Sequence, residues 1–322
     1  MVIVGGGVFG LCTLLKLAQR GVQCLLLESG ELAKGASGLS GGMVRLWHAS
    51  PKMRELAAVG QEFWKSRVGF HKTGSLYFEL PGQKPDLSTD CEWITPDVGR
   101  ERFPDFHWDD DDGAVFEADA GWVDTRVACL AVAQEAREAG AEIRTGTTVE
   151  RVEGKTVHLK DESIEAQAVI WAGGCHGIEA LSGDIPESEN RYIQVLELEG
   201  EYPELPCFLD RRTLGFGRAI HGGALWIGVG LKSIAPDHRT IEFDKNDASR
   251  AQEIVSGRLP LVSGRKIIQG VRTPDRYSPD RMPRFGASGQ DGLFWAWCGS
   301  GGGFKMAPAL AGGLAEEVRQ CL

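Results

Sequence analysis

The sequence lacks the cysteine and basic-residue patterns of several common protein classes. Its eight cysteines are scattered, with no C-x-x-C pair and no Cys/His cluster at zinc spacing. This argues against a zinc site and favours small buried thiols in a reducing compartment, so we predict a cytoplasmic protein. No Lys/Arg run is present, and 35 basic residues stand against 45 acidic ones. Nucleic acid is therefore not expected as a partner, because neutralising phosphates needs a basic surface.

Long apolar runs and clustered histidines are also missing. No stretch reaches the length of a membrane span and no basic segment precedes Val2, so we expect neither a membrane helix nor a signal peptide. The seven histidines are dispersed, and no convincing Ser/His/Asp or Cys/His set is present. The acidic run 109–112 is best explained as a solvated loop, with a metal site the less favoured alternative. We predict no metal.

The first thirty residues contain the strongest local pattern. An apolar strand at 2–4 meets glycines at positions 5, 7 and 10 in the spacing G-x-G-x-x-G, and a helical stretch follows. Such glycines allow a tight turn, close backbone approach to a pyrophosphate, and close packing of helix on strand. The free amides at the helix start then face the phosphates. The pattern predicts a dinucleotide site, and an ordinary glycine turn in an α/β domain is the alternative.

Glu28 narrows the choice of dinucleotide. It follows the second apolar strand, about 20 residues after the glycine loop. An acid at this place accepts hydrogen bonds from both ribose hydroxyls of an adenosine and repels a 2'-phosphate. FAD or NAD is therefore favoured over NADP.

A Gly/Ser segment at 35–45 follows, too rich in small residues for a core element. Its backbone can lie against a planar ring or a phosphate, and Ser37 and Ser40 can donate hydrogen bonds. We expect a partner to order this loop, and a mobile surface loop is the alternative.

Further elements are predicted from hydrophobic periodicity and turn residues. We expect helices at 53–65, 127–138, 250–258 and 309–320, and strands at 73–80, 142–144, 149–152, 156–159, 163–166, 168–174, 192–198, 214–219, 224–229, 265–271 and 292–298. The segment 81–113 lacks this periodicity, and we predict that it is an insertion. No repeat or linker is visible, and the segments interleave, so any domains are discontinuous.

Six short motifs lie spread over nearly the whole chain. They are the glycine loop with Glu28, the Gly/Ser segment, and the stretches 121–125, 171–174, 270–272 and 299–308. Together they resemble the D-amino-acid oxidase superfamily of FAD-dependent oxidoreductases, which includes glycine oxidase, D-amino-acid dehydrogenase and monomeric sarcosine oxidase. With no second Rossmann motif for NAD, the resemblance shifts the choice of dinucleotide to FAD.

The resemblance implies an α/β fold with two discontinuous domains. A Rossmann-like FAD-binding domain would comprise 1–69, 119–183 and 275–322. A mainly antiparallel β substrate domain would comprise 70–118 and 184–274. The flavin would lie between them, under the C-terminal glycine loop.

The resemblance implies three residues at the substrate, and His48 is a fourth candidate. Arg272 resembles an arginine that pairs with the substrate carboxylate, and a structural pair with an aspartate such as Asp275 is the alternative. Lys305 resembles a lysine that holds the same carboxylate, with Arg45 similar in placement to its arginine partner. Lys305 could instead lie beside the flavin and stabilise its anionic reduced form. His48 is the remaining polar candidate, against a structural hydrogen bond.

The implied cofactor contacts come from the glycine-rich segments and their neighbours. They are Gly5, Gly7, Val8, Phe9, Gly10, Glu28, Ser29, Ser37, Ser40, Gly41, Gly42, Met43, Val149, Ala172, Gly173, Gly299, Gly301, Gly302, Gly303, Phe304 and Lys305. Gly270 stands where sarcosine oxidase has the cysteine that attaches flavin, so FAD is expected to be non-covalent. Trp226 stands where the same relatives have an oxygen-reactive lysine, which leaves oxidase and dehydrogenase both open.

The expected activity is oxidation of an amine or amino acid by hydride transfer from its α-carbon to flavin N5, giving an imine that hydrolyses. O2 or another electron acceptor would reoxidise the flavin, and a homo- or hetero-oligomer is possible. Two alternatives stay open at this point: a flavin-dependent hydroxy-acid or polyol dehydrogenase, and a non-catalytic FAD-binding subunit.

Overall fold

A computed structural model describes residues 1–87, 90–177, 180–181, 187–220, 223–230 and 242–320. In chain order its elements are β1 (Val2–Val4), α1 (Val8–Ala18), β2 (Leu25–Leu27), β3 (Met43–Val44), α2 (Pro51–Lys65), β4 (Phe70–Lys72), β5 (Ser75–Phe78), β6 (Glu92–Ile94), α3 (Pro96–Arg102), β7 (Ala114–Glu117), β8 (Gly121–Val123), α4 (Thr125–Glu138), β9 (Glu142–Arg144), β10 (Val149–Glu153), β11 (Thr156–Leu159), β12 (Ser163–Glu165), β13 (Val169–Trp171), β14 (Glu189–Leu198), β15 (Cys207–Asp210), β16 (Gly215–Ala219), β17 (Leu225–Val229), α5 (Lys245–Arg258), a 3-10 turn (Pro260–Val262), β18 (Ile267–Tyr277), β19 (Arg284–Ala287), β20 (Leu293–Trp297) and α6 (Gly303–Gln320).

The first layer is a six-stranded sheet in the order β19-β20-β13-β1-β2-β9. All neighbouring strands are parallel except β19, which runs antiparallel to β20. Its inner strands β1, β2, β13 and β20 are short apolar runs because both faces are covered, whereas the edge strands β9 and β19 carry charged residues. Helices α1, α4 and α6 cover one face, and the sheet β10-β11-β12 covers the other.

The second layer is an eight-stranded sheet in the order β18-β14-β17-β16-β15-β5-β7-β6, antiparallel except for the pair β15–β5. Helix α5 packs on one face, where its Ala248, Ala251 and Val255 join Leu196 and Ile227 of the strands in one core cluster. The α/β fold with a mainly antiparallel second sheet is as predicted. No helix in the described ranges is both long and apolar enough to cross a membrane.

A small sheet, β3-β8-β4, connects the Gly/Ser segment to the 121–125 stretch. Gly42 has φ +60°, and a Cβ there would lie 2.2 Å from the carbonyl oxygen of Val123. Asp124 caps α4 by accepting from the amide of Val127 at 3.1 Å. This sheet therefore holds the segment against the start of α4.

The C-terminal helix begins earlier than predicted. We expected a loop through Pro308, whereas α6 starts at Gly303 and includes that proline. Pro308 has no amide hydrogen, so the carbonyl of Phe304 has no partner four residues later. The indole Nε1 of Trp64 in α2 donates to this carbonyl at 3.2 Å. The bond from α2 lets the helix continue through the proline.

Strand lengths also differ from the predictions. The predicted insertion 81–113 contains β6 and α3. Strand β18 extends to Tyr277, whereas the prediction ended it at 271. The expected boundary at 274/275 thus lies within β18, and the boundary at 183/184 lies outside the described residues. The division into two domains stays a prediction.

The acidic run 109–112 is an ion-pair network rather than a solvated loop. Arg212 contacts Asp109, Asp111 and Asp112 at 2.9 to 3.4 Å. Asp112 is buried and pairs with Arg258, whose Nε also contacts Asp210 at 3.1 Å. The three carboxylates of the run lie close enough to hold a metal ion. In this structure these carboxylates pair with Arg212 and Arg258.

Replacing Arg258 with methionine should lower the free energy of unfolding by about 3 to 5 kcal/mol, because the change leaves Asp112 and Asp210 buried without their cation. Urea unfolding followed by circular dichroism measures this loss. Arg250→Met is the matched control, since Arg250 lies exposed on the same helix. Equal unfolding midpoints for the two variants would show that the network adds nothing.

Candidate active site

The glycine loop between β1 and α1 has no room for side chains. Gly5 has φ +110°, and a Cβ there would lie 2.4 Å from the carbonyl oxygen of Ala172 at the end of β13. A Cβ on Gly10 would lie 1.9 Å from the carbonyl oxygen of Gly5. The loop therefore brings strand, helix and the Ala172–Gly173 turn into direct backbone contact, as the motif requires.

Polar groups close around this loop. The hydroxyl of Ser37 accepts from the amide of Val8 at 3.0 Å, at the start of α1. Glu28 accepts from the amides of Gly6 at 2.7 Å and Gly30 at 2.8 Å, and from the hydroxyl of Ser29. A helix N-terminus, a cradle without room for Cβ atoms and a fixed carboxylate fit the adenosine diphosphate half of FAD.

The start of α6 and the chain before β10 also contact the first thirty residues, and a hydrogen bond within the Gly/Ser segment shapes its end. A Cβ on Gly303, at the start of α6, would lie 3.2 Å from the ring of Phe9. The carbonyl of Glu28 accepts from the amide of Thr147, two residues before Val149 and β10. Ser40 accepts from the amide of Gly42 at 3.1 Å, just before Met43 begins β3.

The Gly/Ser segment packs against Trp226 and against Arg218 of β16, which the sequence did not single out. The guanidinium of Arg218 donates through Nε to the carbonyl of Gly41 at 2.6 Å and lies 3.9 Å from the ring centre of Trp122. Burial lowers the pKa of Arg218 to about 10. A Cβ on Gly41 would lie 2.5 Å from the ring of Trp226. Nothing local in the sequence marks Arg218, because its role depends on which strand lies beside the segment.

Arg45, His48 and Lys305 lie together and are buried. Arg45 donates to the carbonyl of Trp47 and lies 4.6 Å from the ring centre of Tyr77. The Nε of Arg45 and Nε2 of His48 have no hydrogen-bond partner in the described part of the chain. The structure thus brings together three of the four predicted substrate residues, although their roles stay predictions.

The electrostatics of this group favour an anion. Burial, then Arg45, Lys305 and Arg54, hold the pKa of His48 well below its usual value. Burial and Arg45 lower the pKa of Lys305 likewise, against the opposing effect of Glu117. An added negative charge would relieve the repulsion among these cations.

Helices α2 and α6 produce the burial of Lys305. A Cβ on Gly60 of α2 would lie 1.7 Å from the backbone carbonyl oxygen of Lys305, so the helices meet at this glycine. One residue earlier, the ring of Phe304 stacks on Trp64 at 4.5 Å. Phe304 therefore supports the helix pair.

Glu117 is the acid in this group, and the sequence did not identify it. Its carboxylate accepts from the amides of Leu46 at 2.6 Å and Trp47 at 2.8 Å. Burial raises its pKa despite these bonds and the nearby Arg45. Glu117 fixes the backbone that carries Arg45 and His48. Its single charge does not balance both Arg45 and a protonated Lys305.

Arg272 lies elsewhere, which corrects the expectation that it faces the same site as Lys305. Its guanidinium contacts Asp244 and Asp247 at the start of α5, each at 3.5 Å. Its register partner on β14 is Gln194, whose side chain also bonds to Asp244. Residue 272 therefore points to the α5 face of the large sheet. Arg272 therefore forms the structural pair with aspartates that was the predicted alternative, but its partners are Asp244 and Asp247 rather than Asp275.

Comparisons with known proteins identify relatives of this chain. The chain is 26% identical over 356 residues to 4-methylaminobutanoate oxidase (formaldehyde-forming) of Paenarthrobacter nicotinovorans, covering 98% of this chain and 43% of that protein. It is 26% identical over 351 residues to glycine oxidase of Pseudomonas putida strain KT2440, covering 96% and 91%. The crystal structure of L-proline dehydrogenase from P. horikoshii superposes with a TM-score of 0.87 at 19% identity, covering 99% and 92%. The chain thus spans less than half the length of the first relative.

A family model described as DAO, FAD dependent oxidoreductase, matches residues 1–317. The match includes the glycine cradle, Glu28, Ser37 and the turn that begins α6. The chain therefore belongs to the DAO family of FAD-dependent oxidoreductases.

Proposed function

We propose that the protein oxidises an amine that also bears a carboxylate, an amino acid or an N-alkylated amino acid, with non-covalent FAD as the hydride acceptor. The observation that supports this most is the buried group of Arg45, His48 and Lys305, in which Arg45 and a protonated Lys305 carry more charge than the single carboxylate of Glu117. A substrate carboxylate would supply the missing negative charge. The named substrates of the two relatives, 4-methylaminobutanoate and glycine, both combine an amine with a carboxylate.

The protein's own part is to bind and orient the substrate. Arg45 and Lys305 would fix its carboxylate, which limits the directions in which the α-carbon hydrogen can point. The redox chemistry would come from FAD held by the glycine cradle, Ser37 and Glu28. The buried side chains keep water from the charged pair, which strengthens its hold on the carboxylate.

His48 would contribute a neutral hydrogen-bonding group beside the two cations. Its depressed pKa keeps the imidazole uncharged near neutral pH, so one ring nitrogen can donate while the other accepts. Non-covalent attachment is supported by the environment of Gly270, where a Cβ would lie 1.9 Å from the ring of Phe243. No cysteine stands at this position.

Anaerobic bleaching of the flavin tests the proposal. The panel comprises glycine, N-methylglycine, N,N-dimethylglycine, 4-methylaminobutanoate, and D- and L-amino acids. Each of the first four is matched by its hydroxy acid and by the amine without carboxylate. We expect bleaching by at least one amine that bears a carboxylate, and at least about 100-fold slower bleaching by its partner without carboxylate, as the loss of a charge-assisted pair implies.

A hydroxy acid satisfies the same cationic group, so oxidation of a hydroxy acid is the second candidate. Release of ammonia, an amine or formaldehyde identifies amine oxidation, and release of a keto acid without them identifies the second candidate. Bleaching by none of the compounds would overturn the proposed function.

A further inference from the structure

Asp275 lies near the end of β18 and contacts the turn that leads into α6. Its Oδ2 accepts from the amide of Gly301 at 2.7 Å, and its Oδ1 accepts from the amide of Arg276 at 2.9 Å. A Cβ on Gly299 would lie 3.3 Å from the same Oδ1. One carboxylate thus joins the last residues of the large sheet to the turn 299–302.

The turn has an unfavourable backbone. Cys298 has φ +59° and Ser300 has φ +48°, a left-handed conformation that side chains disfavour, and Gly301 has φ +74°. Such a conformation persists only where neighbouring contacts hold it. The amide of Ser300 donates to the carbonyl of Arg276 at 3.0 Å, and the amide of Ser278 donates to the Ser300 hydroxyl at 3.2 Å. With the bond that the Gly301 amide donates to Asp275, two hydrogen bonds join the turn to β18, and a third joins it to Ser278, directly after the strand.

No cationic side chain pairs with Asp275 in the part of the chain that the structure describes. Burial raises its pKa to about 6, and only the two backbone amides oppose this. The other titratable groups that face it are the thiols of Cys175 and Cys298 and the phenol of Tyr277. Burial raises the pKa of both thiols to about 12, and that of the phenol rises too. Among these groups, Asp275 alone changes charge near pH 6.

The turn determines where α6 begins. Gly303 follows it directly and meets Phe9 of the nucleotide loop, and Lys305 lies two residues further on. A shift of Gly301 would move both the contact of Gly303 with Phe9 in the glycine loop and Lys305, the proposed ligand of the substrate carboxylate.

We propose that Asp275 is a positioning residue whose carboxylate holds Gly301, and so keeps the turn 299–302 and the start of α6 in the arrangement that retains FAD. The inference deepens the proposed function, on which it rests for the placement of Lys305. That the protein binds FAD follows from its family alone and does not rest on the proposed function. A protonated carboxyl keeps one good acceptor oxygen, so protonation removes one of the two amide bonds.

The test is the rate at which FAD leaves the holoenzyme, followed by the rise of flavin fluorescence on dilution. Asp275→Asn should release FAD at least tenfold faster at pH 8, because an amide cannot accept from both backbone donors in the same arrangement. In the wild type, release should accelerate between pH 8 and pH 5 with a midpoint near 6. In the variant this dependence should be absent. Asp291→Asn is the matched control, since Asp291 is exposed.

Wild-type release rates in Asp275→Asn would overturn the inference. If the variant does not fold, the wild-type profile decides: an acid midpoint near 6 supports the role of Asp275, and a flat profile from pH 5 to 8 overturns it. No substrate is needed in these measurements. A failed bleaching panel would therefore contradict the proposed function without affecting this result.

Discussion

Replacing Gly10 with alanine should abolish FAD binding while leaving a folded protein. The new Cβ would lie 1.9 Å from the carbonyl oxygen of Gly5, a backbone atom that cannot move without displacing the strand end or α1. Either displacement shifts the amides at the helix start away from the pyrophosphate. We expect an affinity loss of at least about 1,000-fold, equivalent to roughly 4 kcal/mol.

The measurement is the flavin content of the purified variant and its FAD dissociation constant, with far-UV circular dichroism as the test of folding. Gly312→Ala is the matched control, because Gly312 is also a helical glycine and its Cβ would meet nothing within 4 Å. Alanine there should bind FAD normally and raise stability by a few tenths to about 1 kcal/mol. A Gly10→Ala protein that purifies with a full complement of FAD would refute the assignment of the loop.

Replacing Lys305 with methionine should raise KM for a carboxylate-bearing substrate by roughly 100-fold, or about 3 kcal/mol, because one partner of a buried charge pair is lost. The pKa of Lys305 is lowered by burial and by Arg45. In the wild type, KM should therefore rise with pH as the lysine loses its proton. Methionine at 305 should remove that rise.

Lys266→Met provides the control for loss of a lysine charge, since the side chain of Lys266 is 76% exposed. The panel also separates the two interpretations of Lys305. A carboxylate ligand affects KM for carboxylate substrates and leaves amines without carboxylate unchanged. If Lys305 instead stabilises reduced flavin, its loss would lower kcat for every substrate and lower the flavin reduction potential. An unchanged KM would remove Lys305 from the substrate site.

The sequence predicted those parts of the site that depend on local chain geometry. Gly5, Gly10 and Glu28 lie within one strand-turn-helix-strand unit, where spacing alone determines which atoms meet. Ser37 lies close enough in sequence that its segment could be assigned to the same loop. Five strands of the six-stranded sheet and the C-terminal glycine turn followed from similar short patterns, whereas strand β19 was not predicted.

The residues that the sequence missed depend on strand register. Arg218 and Glu117 reach the site only because β16 and β7 lie where they do in the large sheet. Strand register also explains why Arg272 was wrongly expected at the site. The alternation of side chains along a strand leaves two possible faces for residue 272, and only its pairing with Gln194 identifies the face covered by α5. The start of α6 at Gly303 could not be predicted, because the indole of Trp64 that bonds to the helix is distant in sequence.

The order of strands in the six-stranded sheet has a consequence for synthesis of the protein. Strand β13 lies between β1 and β20, so one of its two edges stays unpaired until residues 293–297 have been made. Helix α6, which covers the same sheet, follows later still. The nascent chain must therefore keep an apolar parallel strand from pairing with other chains until β20 emerges from the ribosome, which leaves this stage exposed to aggregation.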